Sequence, residues 1–231
     1  MRRSSIQRAA VAFLLTILLL VSYILCAHAT EKVTALSHGS REEKKIALTF
    51  DDGPHPRYTA EILDLLGAYQ IKATFFMIGT NVALYPTLAR RVAEEGHEVG
   101  SHTFSHPHML KLTPRALLEE IGKNEKIFLE NGIRRPTLFR PPEGYRTPEQ
   151  SIAVRDAGYT MVVWSIDTHD WQSRPAEEIV RYVHENVQGG DILLFHDYIS
   201  GQNTTIAALK QLIPKLLEDG YHFTVVSDLI A

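Results

Sequence analysis

Asp51 and Asp52 stand side by side after an apolar run, in Thr49-Phe50-Asp51-Asp52-Gly53-Pro54. Two consecutive carboxylates leaving a strand point in different directions, so one can ligate a metal while the other accepts a proton at the same site. The Asp-Asp-Gly-Pro run equally suits a turn whose carboxylates cap backbone N–H groups. Further along, His102-Thr103-Phe104-Ser105-His106 spaces two histidines four apart. Such a pair is expected to converge on one side of a helical turn, and neutral imidazoles are good ligands for zinc and its neighbours. With an aspartate that follows a strand, the pair makes a set of two histidines and one carboxylate, with positions open for water and substrate. His108 extends the run as a loop neighbour rather than a ligand.

Three later segments carry the remaining chemistry. In Phe139-Arg140-Pro141-Pro142-Glu143-Gly144 a guanidinium precedes a stiff turn in which neither proline can donate a hydrogen bond, so the Glu143 N–H is the next one free to face a site. The stretch from Trp164 to Trp171 ends a strand with Asp167, Asp170 and an indole that suits a sugar-stacking wall as well as a core. In Asp191-Ile192-Leu193-Leu194-Phe195-His196-Asp197 a histidine emerges from a fully apolar strand, where it is either functional or a core histidine bonded to a carbonyl.

The elements that must position these residues follow from the periodicity beyond Lys44. Short β-branched or aromatic runs at 46–50, 73–78, 98–102, 138–140, 161–166, 192–195 and 223–226 alternate with segments of helical period. Thr113-Pro114, Thr147-Pro148 and Arg174-Pro175 mark helix starts, with Gln150 completing a capping box, and Gly96, Gly132, Gly158 and Gly220 mark helix ends. Seven strands with intervening helices predict an α/β fold, an open (β/α)7 barrel with a largely parallel sheet, rather than a six-strand doubly wound sheet. The polar residues fall at the carboxyl ends of the strands, where such folds place their ligands.

The first thirty residues stand apart. Arg2, Arg3 and Arg8 precede an apolar stretch over 9–25, and Ala27-His28-Ala29 offers a cleavage point, which together form a secretory signal over 1–29 that is either cleaved or kept as a membrane anchor. Bulky Leu25 before the only cysteine, Cys26, argues against lipidation, and the exported part has no thiol for disulfides or catalysis. Residues 30–43 read as a polar linker and 44–231 as one catalytic domain. Of the 231 residues 45% are hydrophobic and 22% charged, enough for a real core. A net charge of -3 with no block of like charges excludes an electrostatic grip on nucleic acid. A neutral or weakly charged partner is expected, met by a monomer, with the membrane touched only by the N-terminal segment.

In this order, Thr-Phe-Asp-Asp-Gly, His-Thr-x-x-His, Arg-Pro-Pro, Asp-x-x-Asp-Trp and Leu-x-His resemble the motifs of the NodB-homology polysaccharide deacetylases, carbohydrate esterase family 4, over about 44–229. The resemblance implies a distorted (β/α)7 barrel, a polysaccharide partner, and Asp52, His102 and His106 as ligands of a divalent metal, zinc first, with cobalt, manganese or nickel as alternatives. It implies Asp51 as general base, held by Arg140, and His196 as general acid, oriented by Asp170. Trp171 and Leu194 would line the pocket for the acetyl methyl group. The family usually has tyrosine after the two prolines, whereas this chain has Glu143 and then Gly144-Tyr145, so Glu143 and Tyr145 are both expected at the substrate. The implied reaction is release of acetate from N-acetylglucosamine or N-acetylmuramic acid in an extracellular glycan, peptidoglycan before chitooligosaccharide. Rival readings are an O-acetyl xylan-type esterase, a glycan-binding module with a decayed site, and a two-histidine, one-carboxylate iron oxygenase, which the paired Asp51 and Asp52 disfavour.

Overall fold

A computed structural model describes residues 13, 15–18, 20, 35–198 and 204–231. Most of the segment expected to be a secretory signal, including Cys26, lies outside the described residues, and among those described no helix is long and apolar enough to cross a membrane. Thr34–Ala231 forms one compact unit.

The chain runs β1 (Lys45–Asp51), α1 (Tyr58–Ala68), β2 (Thr74–Met77), α2 (Gly79–Leu84), α3 (Pro86–Glu94), β3 (Glu98–Ser101), α4 (Pro114–Glu130), β4 (Leu138–Phe139), α5 (Pro148–Asp156) and β5 (Thr160–Met161). It continues through β6 (Ile166–Asp167), α6 (Ala176–Asn186), β7 (Ile192–His196), α7 (Thr205–Glu218), β8 (His222–Phe223) and α8 (Val226–Leu229). All strand pairs are parallel, in the order β5-β4-β3-β2-β1-β7-β6, and β8 pairs with the first two residues of β1. This is the expected open α/β barrel, with β5 and β6 at the two edges of a seven-strand path and β8, itself among the expected strands, paired beside it on β1.

Alternation along the strands decides what reaches the site. In β1, Ile46, Leu48 and Phe50 pack into the large core shared with the helices, together with Phe75 and Met77 of β2 and Leu193 and Phe195 of β7. The intervening residues take the other face: Ala47, Phe76 and Ile192 form a second, smaller cluster there. Because successive side chains point to opposite faces, Thr49, Asp51, Leu194 and His196 are carried to this second face.

The helix starts at Thr113 and Thr147 are capped as expected, the latter with the full capping box to Gln150. The third start falls one residue later than expected, with Pro175 as the cap of α6. Gly132 and Gly158 take φ of +73° and +83° just beyond α4 and α5, a conformation in which any other L residue is strained.

Three expectations need correction. The run expected as one strand over 161–166 is two strands, β5 and β6, because these lie at opposite edges and residues 162–165 carry the chain between them. The last expected strand, over 223–226, ends at Phe223, and Val226 already opens α8. The linker expected over 30–43 is docked from Leu36 on. Leu36 donates to the Met161 carbonyl (2.9 Å) and accepts from Val163 N–H (2.8 Å), Gly39 donates to Gly190 O (2.8 Å), and Arg41 pairs with Asp191. Its polar composition hid this, since the pairing is made mainly by backbone groups.

Candidate active site

Asp51 is the last residue of β1 and is 3% exposed. Its Oδ1 accepts from Arg140 Nη1 at 2.7 Å, and its Oδ2 lies 3.8 Å from His102 Nε2. Arg140 itself has no exposed surface. Its guanidinium also donates to Thr49 Oγ1 (2.8 Å) and the Val163 carbonyl (3.1 Å), and lies 4.1 Å from the centre of the Phe76 ring. A charge so deep in the fold is tolerable because it is paired and hydrogen-bonded.

Asp52 turns away from Asp51 through a left-handed backbone, φ 77°, and its carbonyl is held by Asn81 Nδ2 at 2.7 Å. Its Oδ1 lies 3.5 Å from His102 Nε2 and 3.3 Å from His106 Nε2, and it is buried with no hydrogen-bond partner. Three atoms each about 2.1 Å from one ion at tetrahedral angles stand about 3.4 Å from one another. Asp52, His102 and His106 therefore fit a divalent cation by donor type, spacing and an otherwise orphaned carboxylate oxygen. His102 Nδ1 faces the Arg140 carbonyl at 2.8 Å, which can only accept, so Nε2 carries the free lone pair. Burial holds the His102 pKa below its ordinary value, against the pull of Asp51 and Asp52, and so favours the neutral ring that a metal needs.

The two histidines meet, with ring centres 5.1 Å apart, but not on the helical turn expected for them. They sit on a loop in which Thr103 and His106 both have positive φ, 68° and 53°. That loop is pinned by Asn124, fully buried on α4, whose Nδ2 faces the Thr103, Met77 and Ser101 oxygens at 2.7, 3.0 and 3.1 Å. Asn124 was not singled out in the sequence, although an asparagine on the apolar face of a helix is the signal that could have found it.

His196 closes β7. Its Nδ1 lies 2.8 Å from Asp170 Oδ1, and its backbone N–H donates to Asp170 Oδ2 at 2.8 Å. Thr205 also donates to Asp170, at 2.7 Å, and the carboxylate is fully buried. Burial pulls the His196 pKa down, but the hydrogen bond and charge of Asp170, with Asp52 and Asp51 beyond, outweigh it and raise the value to about 9. The neighbouring Asp197, also missed in the sequence, is raised to about 7, first by burial and then by the charges of Asp52 and Asp51, against the Thr59 hydroxyl that holds it down.

These groups open on one cleft of about 500 Å³, lined by Asp51, Asp52, His102, His106 and His196, with Leu194, Glu143, Tyr145 and Trp171 around them. Every expected site residue reaches this cleft except Arg140 and Asp170, which stand behind Asp51 and His196. Trp164, Asp167 and Tyr198 join the lining without having been assigned to it. Trp171 is 50% exposed and its Nε1 donates to Asp167 at 3.4 Å. Glu143 is exposed on a short turn with φ 56°. His108 lies outside the cluster, stacked on Tyr145 at 5.9 Å.

Comparison with known proteins agrees with this geometry. Residues 38–162 match the family described as polysaccharide deacetylase. The chain is 43% identical over 190 residues to a peptidoglycan-N-acetylglucosamine deacetylase of Bacillus cereus, covering 81% of this chain and 89% of that one. It superposes on the crystal structure of a peptidoglycan N-acetylglucosamine deacetylase bound to 4-naphthalen-1-yl-N-oxidanyl-benzamide with a TM-score of 0.82 and 33% identity, covering 85% and 92% of the two chains. A family 4 pseudoenzyme from Bacillus anthracis is also similar, with a TM-score of 0.80, 26% identity and coverage of 86% and 69%. Fold alone therefore does not decide activity, and the residues at the cleft do. With a match over more than half of its length and the Asp51, Asp52, His102, His106 and His196 set gathered at one cleft, the chain belongs to the polysaccharide deacetylase family, carbohydrate esterase family 4.

Proposed function

We propose that the chain is a metal-dependent N-deacetylase of extracellular peptidoglycan, hydrolysing the acetamide of N-acetylglucosamine units and releasing acetate. The observation that carries this reading is the pairing, at one cleft, of the Asp52, His102 and His106 cluster with a histidine kept protonated by a buried aspartate. The names of the relatives favour N-acetylglucosamine in peptidoglycan over other acetylated glycans. Export through the segment at 1–29 would bring the domain to that polymer.

Asp52, His102 and His106 would hold the ion, zinc first among the candidates. A divalent cation there supplies Lewis acidity, making water more acidic and polarising the acetamide carbonyl. Asp51, gripped by Arg140 through Oδ1, keeps Oδ2 toward the cleft to take the proton of the attacking water. The Glu143 N–H is assigned to the oxyanion that forms on the carbonyl oxygen. His196, tied to Asp170 through Nδ1, turns Nε2 to the departing nitrogen and delivers the proton without which an amine does not leave. Leu194 and Trp171 enclose the methyl group. A general acid held in its protonated form at this position favours an amide over an O-acetyl ester, whose leaving group needs it less.

The test is mass spectrometry of products from purified peptidoglycan, N-acetylchitooligosaccharides and acetylated xylan offered side by side. Loss of acetyl groups from N-acetylglucosamine in peptidoglycan is expected. Acetate from xylan alone, or from none of the three, would overturn the reading.

A further inference from the structure

Tyr198 follows Asp197 at the end of β7, lines the cleft and keeps 41% of its surface exposed. An aromatic ring that exposed is not fixed by burial. It is fixed by His55, whose ring meets it at 5.1 Å and 74°. His55 is in turn stacked on Tyr58 at 4.4 Å and 17°. The imidazole cannot rotate freely, because Nδ1 accepts the backbone N–H groups of Arg57 (3.2 Å) and Tyr58 (3.1 Å).

A second tie joins the two loops beneath these rings. The His55 N–H donates to Thr59 Oγ1 at 2.7 Å, and the Thr59 hydroxyl donates to the fully buried carboxyl group of Asp197, next to Tyr198. The result is a ledge of three rings, held in place by these contacts and joined to the cleft through Tyr198. The hydrolysis assigned above uses none of them.

We propose that Tyr198, buttressed by His55 and Tyr58, is a stacking platform for the sugar adjoining the one that loses its acetyl group. A pyranose presents a flat face of C–H groups, and an exposed, preorganised phenol offers it apolar contact at little ordering cost, with a hydroxyl left for the sugar's polar rim. The occupant is a second unit of the same glycan strand, because the ledge begins where the cleft ends. The inference rests on the reading of the cleft as an N-deacetylase site. It adds that the protein prefers a strand to a single sugar.

Binding tests this without turnover. Metal-loaded Asp51→Asn protein, in which substrate persists, is titrated calorimetrically with N-acetylglucosamine and with its β-1,4-linked tetramer. Adding Tyr198→Ala should weaken the tetramer about tenfold and leave the single sugar unchanged. Tyr198→Trp should restore the tetramer's affinity. Unchanged tetramer binding, or equal losses for tetramer and single sugar, overturns the platform while leaving the cleft reading intact. A parent protein that binds neither ligand overturns the cleft reading, and the platform with it.

Discussion

Asp170 grips His196 twice, with Oδ1 against the ring Nδ1 and Oδ2 accepting the backbone N–H, both at 2.8 Å. The double contact fixes the ring and favours its protonated form, which is what an acid serving a poor leaving group requires. With the His196 pKa raised to about 9, the acid form is present through neutral pH and is lost as the pH rises through that value. Deacetylation should therefore fall along an alkaline limb near pH 9. The same interaction favours the folded state fully below pH 6.5, and that contribution fades as the pH rises through about 9. His196→Ala should slow amide cleavage by about 10² to 10⁴ and cleavage of an activated aryl acetate far less. Equal losses on both substrates would leave His196 a structural residue.

Asp170→Asn separates the carboxylate's charge from its shape. The variant keeps an oxygen for the His196 backbone N–H but loses the charge that raises the imidazole's pKa. The alkaline limb should move toward more acidic pH while the metal content stays unchanged. A profile that falls in height without moving would mean that Asp170 only positions the ring.

The two adjacent aspartates should separate cleanly. Asp52 Oδ1 is the oxygen close to both imidazoles, whereas Asp51 is committed on one side to Arg140. Asp52→Asn and His106→Ala should each lower bound metal well below one equivalent by elemental analysis. Asp51→Asn should retain it and lose hydrolysis. Chelation should abolish activity, and zinc or cobalt should restore it. Loss of metal from Asp51→Asn would exchange the two roles.

Arg140 carries a structural consequence beside its place behind Asp51. Replacing it with alanine strands a buried carboxylate and leaves a hole beside Phe76 and Thr49. Removing one partner of a buried pair costs about 3 to 5 kcal/mol, here a fall in Tm of order 10 °C in a domain of this size. Calorimetry of Arg140→Ala checks this, and a shift of a degree or two would mean that Asp51 finds another partner.

The sequence makes legible whatever local pattern encodes. Ile46, Leu48 and Phe50 alternate with the residues that face the site, and Thr147 with Gln150 caps a helix within four residues. The site residues were legible because they follow strands, and strand ends converge in a parallel fold. What was hidden depends on distant partners. The break within 161–166 exists because β5 and β6 belong to opposite edges, and Leu36 pairs across that break with backbone groups that no side-chain pattern marks. The four-residue spacing of the histidines predicts a helical turn because spacing alone does not reveal positive φ at Thr103 and His106, in a loop that Asn124 holds from α4. Tyr198 and Trp164 carry no catalytic chemistry, and only folding brings them to the cleft.

Glu143 departs from the tyrosine usual after Arg140-Pro141-Pro142, and its conformation says what the departure does. The residue has φ 56° on a turn whose next residue, Gly144, has φ 71°. A Cβ on Gly144 would come within 2.9 Å of the Trp164 ring, so the turn is packed closely against that indole. The turn therefore fixes the Glu143 backbone, while its side chain is exposed. If the backbone N–H is the working group, the strain of a positive φ is already present with glutamate, and tyrosine adds little to it. Glu143→Tyr should then change kcat on a small acetylated substrate by less than about tenfold, about 1.4 kcal/mol. Gly144→Ala meets both the positive φ and the Trp164 ring, so it displaces the turn itself and should lower kcat well beyond that. A larger loss in Glu143→Tyr than in Gly144→Ala would assign the work to the carboxylate and remove the N–H from the mechanism.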